Sequence, residues 1–266
     1  MIVGAGTGDL AQAQLAKFTK RLTAFSPETE VETKAIGKDL LKAVADGTVD
    51  AAVMSATHIP IDLDPALVLG AVMKRGAVEE ALYPIPWEAL KCGAIVGTSS
   101  LRRLMLFRTR KPGVRIKEIE GNIEERMKKF DTEEYNSIIF SKADLDLLDI
   151  TKLVHTIDKT TIIPGPGQGA IGVVCRAGDT ATLDILKNVN NRDSNTEVTI
   201  ERAIMKAVGA TIKDPVAVNA EMDDDLVSVI ASSFLPEVPV HVMMTFPESK
   251  SEEKVKEIAD RLMRRA

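Results

Sequence analysis

Two adjacent arginines that follow three hydroxyl residues are the strongest candidates for chemistry in this chain of 266 residues. Thr98, Ser99 and Ser100 come directly after a short apolar segment and a glycine, where a helix needs its N-cap. Arg102 and Arg103 then fall in the first helical turn, although the helix macrodipole favours anions there. Backbone N–H groups at a helix start and guanidinium groups both bind carboxylates and phosphates. The pattern therefore predicts an anion site, and the alternative is a solvated basic turn on the surface.

The elements around these arginines have the pattern of repeated βα units. Residues 95–131 predict strand, turn, basic helix, strand, turn and basic helix from their apolar spacing. Residues 2–25 predict a strand, a glycine turn and a helix, but Asp9 stands where a dinucleotide-binding fingerprint needs its third glycine. A predicted strand over 49–54 leads into a loop that contains His58. Because open α/β sheets bind ligands at the carboxyl ends of their strands, this loop is a second candidate for the site.

Composition limits the class of protein. With 45% hydrophobic and 27% charged residues, the chain has the make-up of an ordinary globular protein. A net charge of −5 and an aromatic content of 4% argue against nucleic-acid and membrane binding, so any anion site must be local. Cys92 and Cys175 lie far apart in apolar stretches, and we expect buried free thiols in a reducing, cytoplasmic compartment. The sequence shows no signal peptide, long apolar span or metal-ligand spacing.

Four blocks of sequence occur in the order known from one enzyme family. The blocks are residues 97–103 (GTSSLRR), 120–129 (EGNIEERMKK), 164–176 (PGPGQGAIGVVCR) and 201–203 (ERA). The first matches the signature GTSSLRR of porphobilinogen deaminase (hydroxymethylbilane synthase). The second and third resemble that family's RGN-x-x-x-R-L-x-K and P-x-V-G-Q-G-A-L-G-I-E-C-R, and the fourth resembles the start of its third domain. The chain therefore resembles this family over nearly its whole length.

The resemblance implies an α/β fold of two hinged lobes, like those of periplasmic binding proteins, and a small α+β C-terminal domain. The predicted domains are residues 1–73 with 170–188, residues 74–169, and residues 189–266. For the last domain, apolar periodicity predicts a helix over 194–208, strands over 215–221, 226–233 and 238–246, and a helix over 249–265. The acidic run 223–225 is expected to form a hairpin turn.

The resemblance also implies an activity. The family joins porphobilinogen units head to tail, with loss of ammonia, on a dipyrromethane cofactor tethered to a cysteine. An aspartate stabilises the positive charge that develops on the pyrroles, and arginines pair with their acetate and propionate groups. Carried over position by position, the resemblance predicts that substrate is bound by Thr98, Ser99, Ser100, Arg102, Arg103, Asn122 and Arg126.

Several positions depart from the family pattern. His58 stands at the catalytic aspartate, and an imidazole cannot supply a fixed negative charge. Glu120 and Gly6 stand at two arginine positions. Thr211 lies in the loop that matches the cofactor cysteine, and the chain has no cysteine after Cys175. Because a threonine hydroxyl is a far weaker nucleophile than a thiolate, we expect the dipyrromethane cofactor to be absent.

Three functions stay open at this point. The chain could be an enzyme of tetrapyrrole biosynthesis that polymerises porphobilinogen without the usual tether and aspartate. It could be a catalytically lapsed relative that binds a small polycarboxylated, pyrrole-like ligand or a partner. It could also be a scaffold subunit that supports an active partner, although the family implies a monomer. Consumption of porphobilinogen separates the first two hypotheses, and co-purification tests the third. His155 and His241 are expected to be structural histidines.

Overall fold

The computed structural model describes residues 1–132 and 134–264, whose strands form three separate sheets. Numbered in chain order, the strands of the first sheet are β1 (Ile2–Ala5), β2 (Glu32–Ala35), β3 (Ala51–Ser55), β4 (Leu67–Val72) and β10 (Ile171–Arg176). Those of the second are β5 (Glu80–Tyr83), β6 (Ile95–Gly97), β7 (Arg115–Lys117), β8 (Ser137–Ser141) and β9 (His155–Ile157). Those of the third are β11 (Val216–Asp223), β12 (Leu226–Ser233) and β13 (Val240–Pro247). The helices are α1 (Asp9–Phe25), α2 (Leu40–Ala45), α3 (Leu101–Arg110), α4 (Ile123–Thr132), α5 (Lys142–Leu147), α6 (Thr180–Leu186), α7 (Arg192–Val208) and α8 (Ser251–Leu262).

The first two sheets share one strand order. The orders are β2-β1-β3-β10-β4 and β7-β6-β8-β5-β9. In each sheet the first three strands run parallel to one another. The fourth strand in each order runs antiparallel to both of its neighbours. The structure thus confirms the predicted pair of βα units, which we call the first lobe and the second lobe, and it makes β3 and β8 equivalent central strands.

Helical periodicity explains how the first lobe forms its core. Helix α1 buries Leu15, Phe18 and Leu22, the apolar stripe on which the sequence prediction depends. These side chains pack against the central strands, and β10 has no exposed residue along its length. Strands that are covered on both faces appear in the sequence as continuous apolar runs. For this reason β3 and β10 can be predicted although their residues do not alternate between apolar and polar.

The second lobe contains one strand that the sequence analysis missed. The apolar pattern of residues 73–93 predicts no strand, only a crossing between the two units, but β5 lies within them and is the fourth strand of the sheet. This strand has only four residues and begins with Glu80, which has no exposed surface. A charged residue in so short an apolar segment is typical of a loop. The segment is nevertheless a strand, because two arginine side chains neutralise the Glu80 carboxylate, as described below.

The C-terminal unit is the predicted small α+β arrangement. Its three antiparallel strands pack one face against α7 and α8 through a cluster that includes Ile204, Val229 and Ile258. Helix α7 begins two residues before the predicted start, where Asn191 accepts a hydrogen bond from the Ser194 N–H at 3.0 Å. The acidic run forms the hairpin between β11 and β12, as expected. The predicted last helix ends at Leu262, and its last residue, at position 265, lies outside the described residues.

Both crossings between the lobes meet α7 at a buried ionic cluster. The Arg75 guanidinium, in the first crossing, forms a bidentate pair with Glu201 of α7 at 2.9 and 3.2 Å. Arg75 Nε also donates to the Gln168 carbonyl of the second crossing at 2.8 Å, and the Gly167 N–H donates to Glu201 at 2.6 Å. Since each charged group has several partners, this cluster holds the C-terminal unit against both crossings. The exact limits of the three predicted domains stay a prediction.

Two smaller expectations have different outcomes. Both cysteines are free and Cys175 is buried, but Cys92 is exposed, because it lies in a tight turn beside Gly93, whose φ is +83°. His241 has the expected structural contact, with its Nδ1 2.5 Å from the Ser232 hydroxyl. Within residues 1–132 and 134–264, no helix is both long and apolar enough to span a membrane.

Candidate ligand-binding cleft

A cleft of about 990 Å³ lies where the two lobes, their crossings and the C-terminal unit meet. Its wall includes the last residues of β3 and β8 and residues from the turns and helix starts that follow β3, β6 and β8. Of the predicted site residues, the structure brings together His58, Ser99, Ser100, Arg102, Arg103, Asn122 and Arg126. Thr98 and Thr211 are not among the lining residues.

Arg102 and Arg103 are both held by an internal carboxylate. Arg102 Nη2 lies 2.6 Å from Glu80 Oε1, and its Nη1 donates to the Ile163 carbonyl at 2.6 Å. Arg103 makes a bidentate pair with Glu80, through Nε at 3.1 Å and Nη2 at 2.8 Å. One buried carboxylate thus accepts from two guanidinium groups, and the Glu80–Arg102–Arg103 triad keeps one net positive charge at the cleft wall.

The electrostatics of this triad favour the ionised form of Glu80. Burial alone raises the pKa of Glu80, but the charges and hydrogen bonds of Arg103 and Arg102 bring it below its usual value. The sequence analysis offered an anion site or a solvated basic turn. The second alternative is wrong for Arg102, which is only 8% exposed, because the start of α3 packs against Glu80 at the start of β5. The anion that the two arginines bind in the structure is part of the protein.

Arg126 has a different environment from the other two arginines. Its guanidinium lies over the Phe140 ring, 4.6 Å from the centroid, and its Nε donates to the Asn122 carbonyl at 3.4 Å. Among the described residues it forms no ion pair. Burial, with the nearby charge of Arg103, lowers the pKa of Arg126 to about 10, so it is a cation at neutral pH. Arg126 therefore offers a charged donor to the cleft that no protein carboxylate occupies.

The start of α4 fixes where Arg126 lies. Asn122 Oδ1 accepts from the Glu125 N–H at 2.8 Å, and Glu125 Oε2 accepts from the Asn122 N–H at 3.0 Å. This reciprocal capping box satisfies two N–H groups that a helix start leaves unpaired. Gly121, with φ of +116°, lies so close to Glu125 that a side chain there would collide with it. Asn122 therefore has a positioning role at the rim of the cleft, whatever else it contacts.

The hydroxyls before Arg102 fall into two groups. Ser100 is the N-cap of α3 and accepts from the Arg103 N–H at 3.4 Å, while Ser99 is exposed to the cleft. Thr98 is 3% exposed, and its hydroxyl accepts from the Ser100 N–H at 3.2 Å. Its place among the predicted substrate-binding residues is not supported, because its hydroxyl stabilises the turn instead of facing the cleft.

His58 lies in the short helical turn Ala56–His58 directly after β3 and is exposed to the cleft. Removal from bulk water within the cleft, together with the charge of Arg126, lowers the pKa of His58 below its usual value. The imidazole is therefore neutral at pH 7, and this position supplies no negative charge.

Asp144 is a cleft residue that the sequence analysis did not identify. It lies in the first turn of α5, directly after β8, and it lines the same cleft as His58. Burial raises the pKa of Asp144 to about 6, against the opposing effect of Arg103. A sequence pattern could have pointed to Asp144, because each central strand ends in a serine that is followed three positions later by a titratable residue.

The chain matches the family model described as porphobilinogen deaminase, dipyromethane cofactor binding domain, over residues 27–184. It is 32% identical over 256 residues to a probable porphobilinogen deaminase of Nitrosopumilus maritimus, with 88% of this chain and 82% of that protein covered. The chain belongs to the porphobilinogen deaminase family. A porphobilinogen deaminase of Staphylococcus carnosus is 31% identical over 251 residues, covering 85% of this chain and 82% of that protein. Among solved structures, a nutrient-binding protein of Burkholderia cenocepacia bound to methionine has a TM-score of 0.49 and 12% identity, covering 71% of this chain and 90% of that one.

The loop that matches the deaminase family's cofactor cysteine does not fit a thioether-linked dipyrromethane. Thr211 Oγ1 donates to Asp214 Oδ2 at 2.7 Å, and the Thr211 N–H donates to the same oxygen at 2.7 Å. Ile212, Lys213 and Asp214 line the cleft, whereas Thr211 does not. The remaining thiol that resembles a family position, Cys175, is buried on β10, and burial raises its pKa to about 11. The loop that matches the cofactor cysteine therefore offers no thiol for such a tether, and Cys175 does not replace it.

Proposed function

We propose that this member of the porphobilinogen deaminase family binds a polycarboxylated pyrrole in its cleft without polymerising porphobilinogen by the thioether-tethered route. Porphobilinogen itself, which carries two carboxylates, a pyrrole N–H and an ammonium group, is the ligand we expect first. The observation that carries the proposal is the contrast among the three cleft arginines. Arg126 has no protein carboxylate as a partner among the described residues, whereas Arg102 and Arg103 share Glu80.

Charge supports an anionic ligand with several carboxylates. The triad keeps one net positive charge, and Arg126 adds a second at the same wall of the cleft. A guanidinium that is partly desolvated binds a carboxylate more strongly than one in water, because the effective dielectric constant is lower there. Glu120, exposed at the rim, works against very highly charged ligands and favours one that also carries a positive group.

The second candidate is an active deaminase, and identity of 32% over most of the chain favours it. Such an enzyme would have to hold its growing chain without a cysteine in the C-terminal unit, since Cys175 is the last cysteine of the sequence. It would also have to stabilise positive charge without a carboxylate at position 58.

One set of measurements on purified protein separates the two candidates. Intact mass and the Ehrlich colour reaction report any bound dipyrrole, and incubation with porphobilinogen reports turnover. We expect an unmodified mass, no colour and no consumption, together with a rise in melting temperature when porphobilinogen is added. A mass excess of two pyrrole units with a positive colour reaction would establish a tethered cofactor and overturn the proposal. No rise in melting temperature at millimolar porphobilinogen would overturn the binding part.

A further inference from the structure

The two lobes place different side chains at one equivalent position of the cleft. Strand β3 ends at Ser55, and His58 follows three residues later. Strand β8 ends at Ser141, and Asp144 follows three residues later. Because β3 and β8 are the central strands of sheets with the same order and directions, His58 and Asp144 are related by the internal repeat of the fold. Both line the cleft between the lobes.

We propose that Asp144 binds the pyrrole N–H and ammonium groups of the ligand, and so supplies from the second lobe the carboxylate that position 58 of the first lobe lacks. This inference depends on the proposed function, because it assumes that the cleft takes a pyrrole that carries carboxylates and a cationic nitrogen. Asp144 is a binding residue in this view, and no catalytic step is assigned to it.

The surroundings of Asp144 fit this role better than a structural one. Among the described residues, Asp144 forms no ion pair, since Arg103, the cation next to it, is already held by Glu80. The Ser141 side chain, at the N-cap of α5, makes no capping hydrogen bond to the helix backbone, and its hydroxyl lies close enough to the Asp144 carboxylate to favour the ionised form.

Other carboxylates of the cleft are less suited to the role. Asp146, two residues further along α5, forms an ion pair with Lys142 and is exposed. Asp214 accepts two hydrogen bonds from Thr211. Asp144 combines partial burial, a carboxylate that forms no ion pair among the described residues and proximity to Arg126, so one wall of the cleft can bind the two opposite charges of a zwitterion.

Two probes separate the two kinds of contact. Porphobilinogen has carboxylates and nitrogen groups, whereas pimelate has two carboxylates separated by the same number of carbon atoms and no nitrogen. For Asp144→Asn we expect porphobilinogen affinity to fall by about 10- to 100-fold, the usual effect of losing a charge-assisted hydrogen bond. Pimelate affinity should stay the same or increase, because a negative charge has been removed.

Asp149→Asn is the matched control, since Asp149 is exposed in the same segment, does not line the cleft and has a φ of 55° that asparagine accepts readily.

Transfer of the carboxylate to the first lobe provides the second test. We expect His58→Asp in the Asp144→Asn background to recover porphobilinogen binding by about tenfold or more, with calorimetry as the readout and melting of the free proteins as a folding control. Unchanged porphobilinogen affinity in Asp144→Asn would overturn the role of Asp144 and leave the proposed function intact. Equal losses for porphobilinogen and pimelate would also overturn it, because they would indicate a general change in the cleft. If the unaltered protein binds neither probe, the proposed function fails and this inference fails with it.

Discussion

The two lobes have one backbone plan and different chemistry at the same place in it. In the first lobe, the Ser55 hydroxyl accepts from Gln14 Nε2 at 2.6 Å, and the titratable residue that follows is a neutral histidine. In the second lobe, the Ser141 side chain makes no capping hydrogen bond to the helix that follows, and the titratable residue three positions later is an aspartate. The comparison shows that one backbone plan can place a histidine in one copy and an aspartate at the equivalent position of the other.

A second contrast lies within the second lobe. Three arginines approach the cleft from α3 and α4, but two of them share a buried carboxylate and the third has none. We therefore expect the triad to act mainly on the stability of the lobe, and Arg126 to be available to a ligand. Each of the following changes tests one side of these contrasts, from the largest expected effect to the smallest.

Glu80→Gln should have the largest effect. Removal of the carboxylate leaves two buried guanidinium groups without their partner, and breaking one side of a buried ion pair costs about 3 to 5 kcal/mol. We expect urea unfolding to show a loss of this size, with Glu79→Gln, one residue earlier, as the control that stays within about 0.5 kcal/mol of the unaltered protein. A loss below about 1 kcal/mol for Glu80→Gln would mean that the triad does not hold α3 against β5.

Arg126→Gln should affect ligand more than stability. Without a carboxylate partner in the protein, Arg126 loses only its contact with the Phe140 ring and one hydrogen bond, so unfolding should change by less than about 1 kcal/mol. Loss of a charged contact to a ligand carboxylate should weaken porphobilinogen binding by about 1.5 to 3 kcal/mol, as measured by calorimetry. Arg108→Gln, exposed on α3, is the control. If Arg103→Gln weakens ligand binding as much as Arg126→Gln does and leaves the stability unchanged, the distinction between the two paired arginines and Arg126 is wrong.

Sequence reasoning recovered the architecture because its signals are local. Helix faces such as Leu15, Phe18 and Leu22 and the apolar runs of β3 and β10 do not depend on partners far along the chain. It missed β5 because Glu80 is compatible with a strand only when two arginines from α3 neutralise it. It missed Asp144 because comparison with a family finds retained residues, whereas this residue is identified by the symmetry between β3 and β8. The sequence predicts the pair of βα units, but only the strand order shows which positions of the two units are equivalent.

Asp144→Asn should stabilise the free protein at neutral pH. The raised pKa of Asp144, about 6, means that the folded chain holds a proton there more tightly than the unfolded chain does. Stability of the unaltered protein should therefore fall as the pH rises from about 4 to 6.5, by about 1 to 2 kcal/mol from this group. The asparagine variant should lack this fall, so its advantage in urea unfolding should be present at pH 7.5 and vanish near pH 4. If the difference in unfolding free energy between the two proteins does not depend on pH, the pKa of Asp144 is not raised in the folded protein and its carboxylate is solvated.

His58→Asn should give the smallest change, with the opposite sign on the pH axis. The lowered pKa of His58 means that the unfolded chain takes up a proton at this position more readily than the folded chain. Acidification from pH 7.5 to 5.5 should therefore lower the free energy of unfolding of the unaltered protein relative to the variant. At Asp144 in the other lobe, acidification has the opposite effect, because protonation removes the cost of a buried charge. Urea unfolding at the two pH values measures the difference, and His155→Asn on β9 controls for a general effect of histidine removal. Equal stability differences at both pH values would show that Arg126 and the cleft walls do not act on His58, and the electrostatic contrast between the lobes would then rest on Asp144 alone.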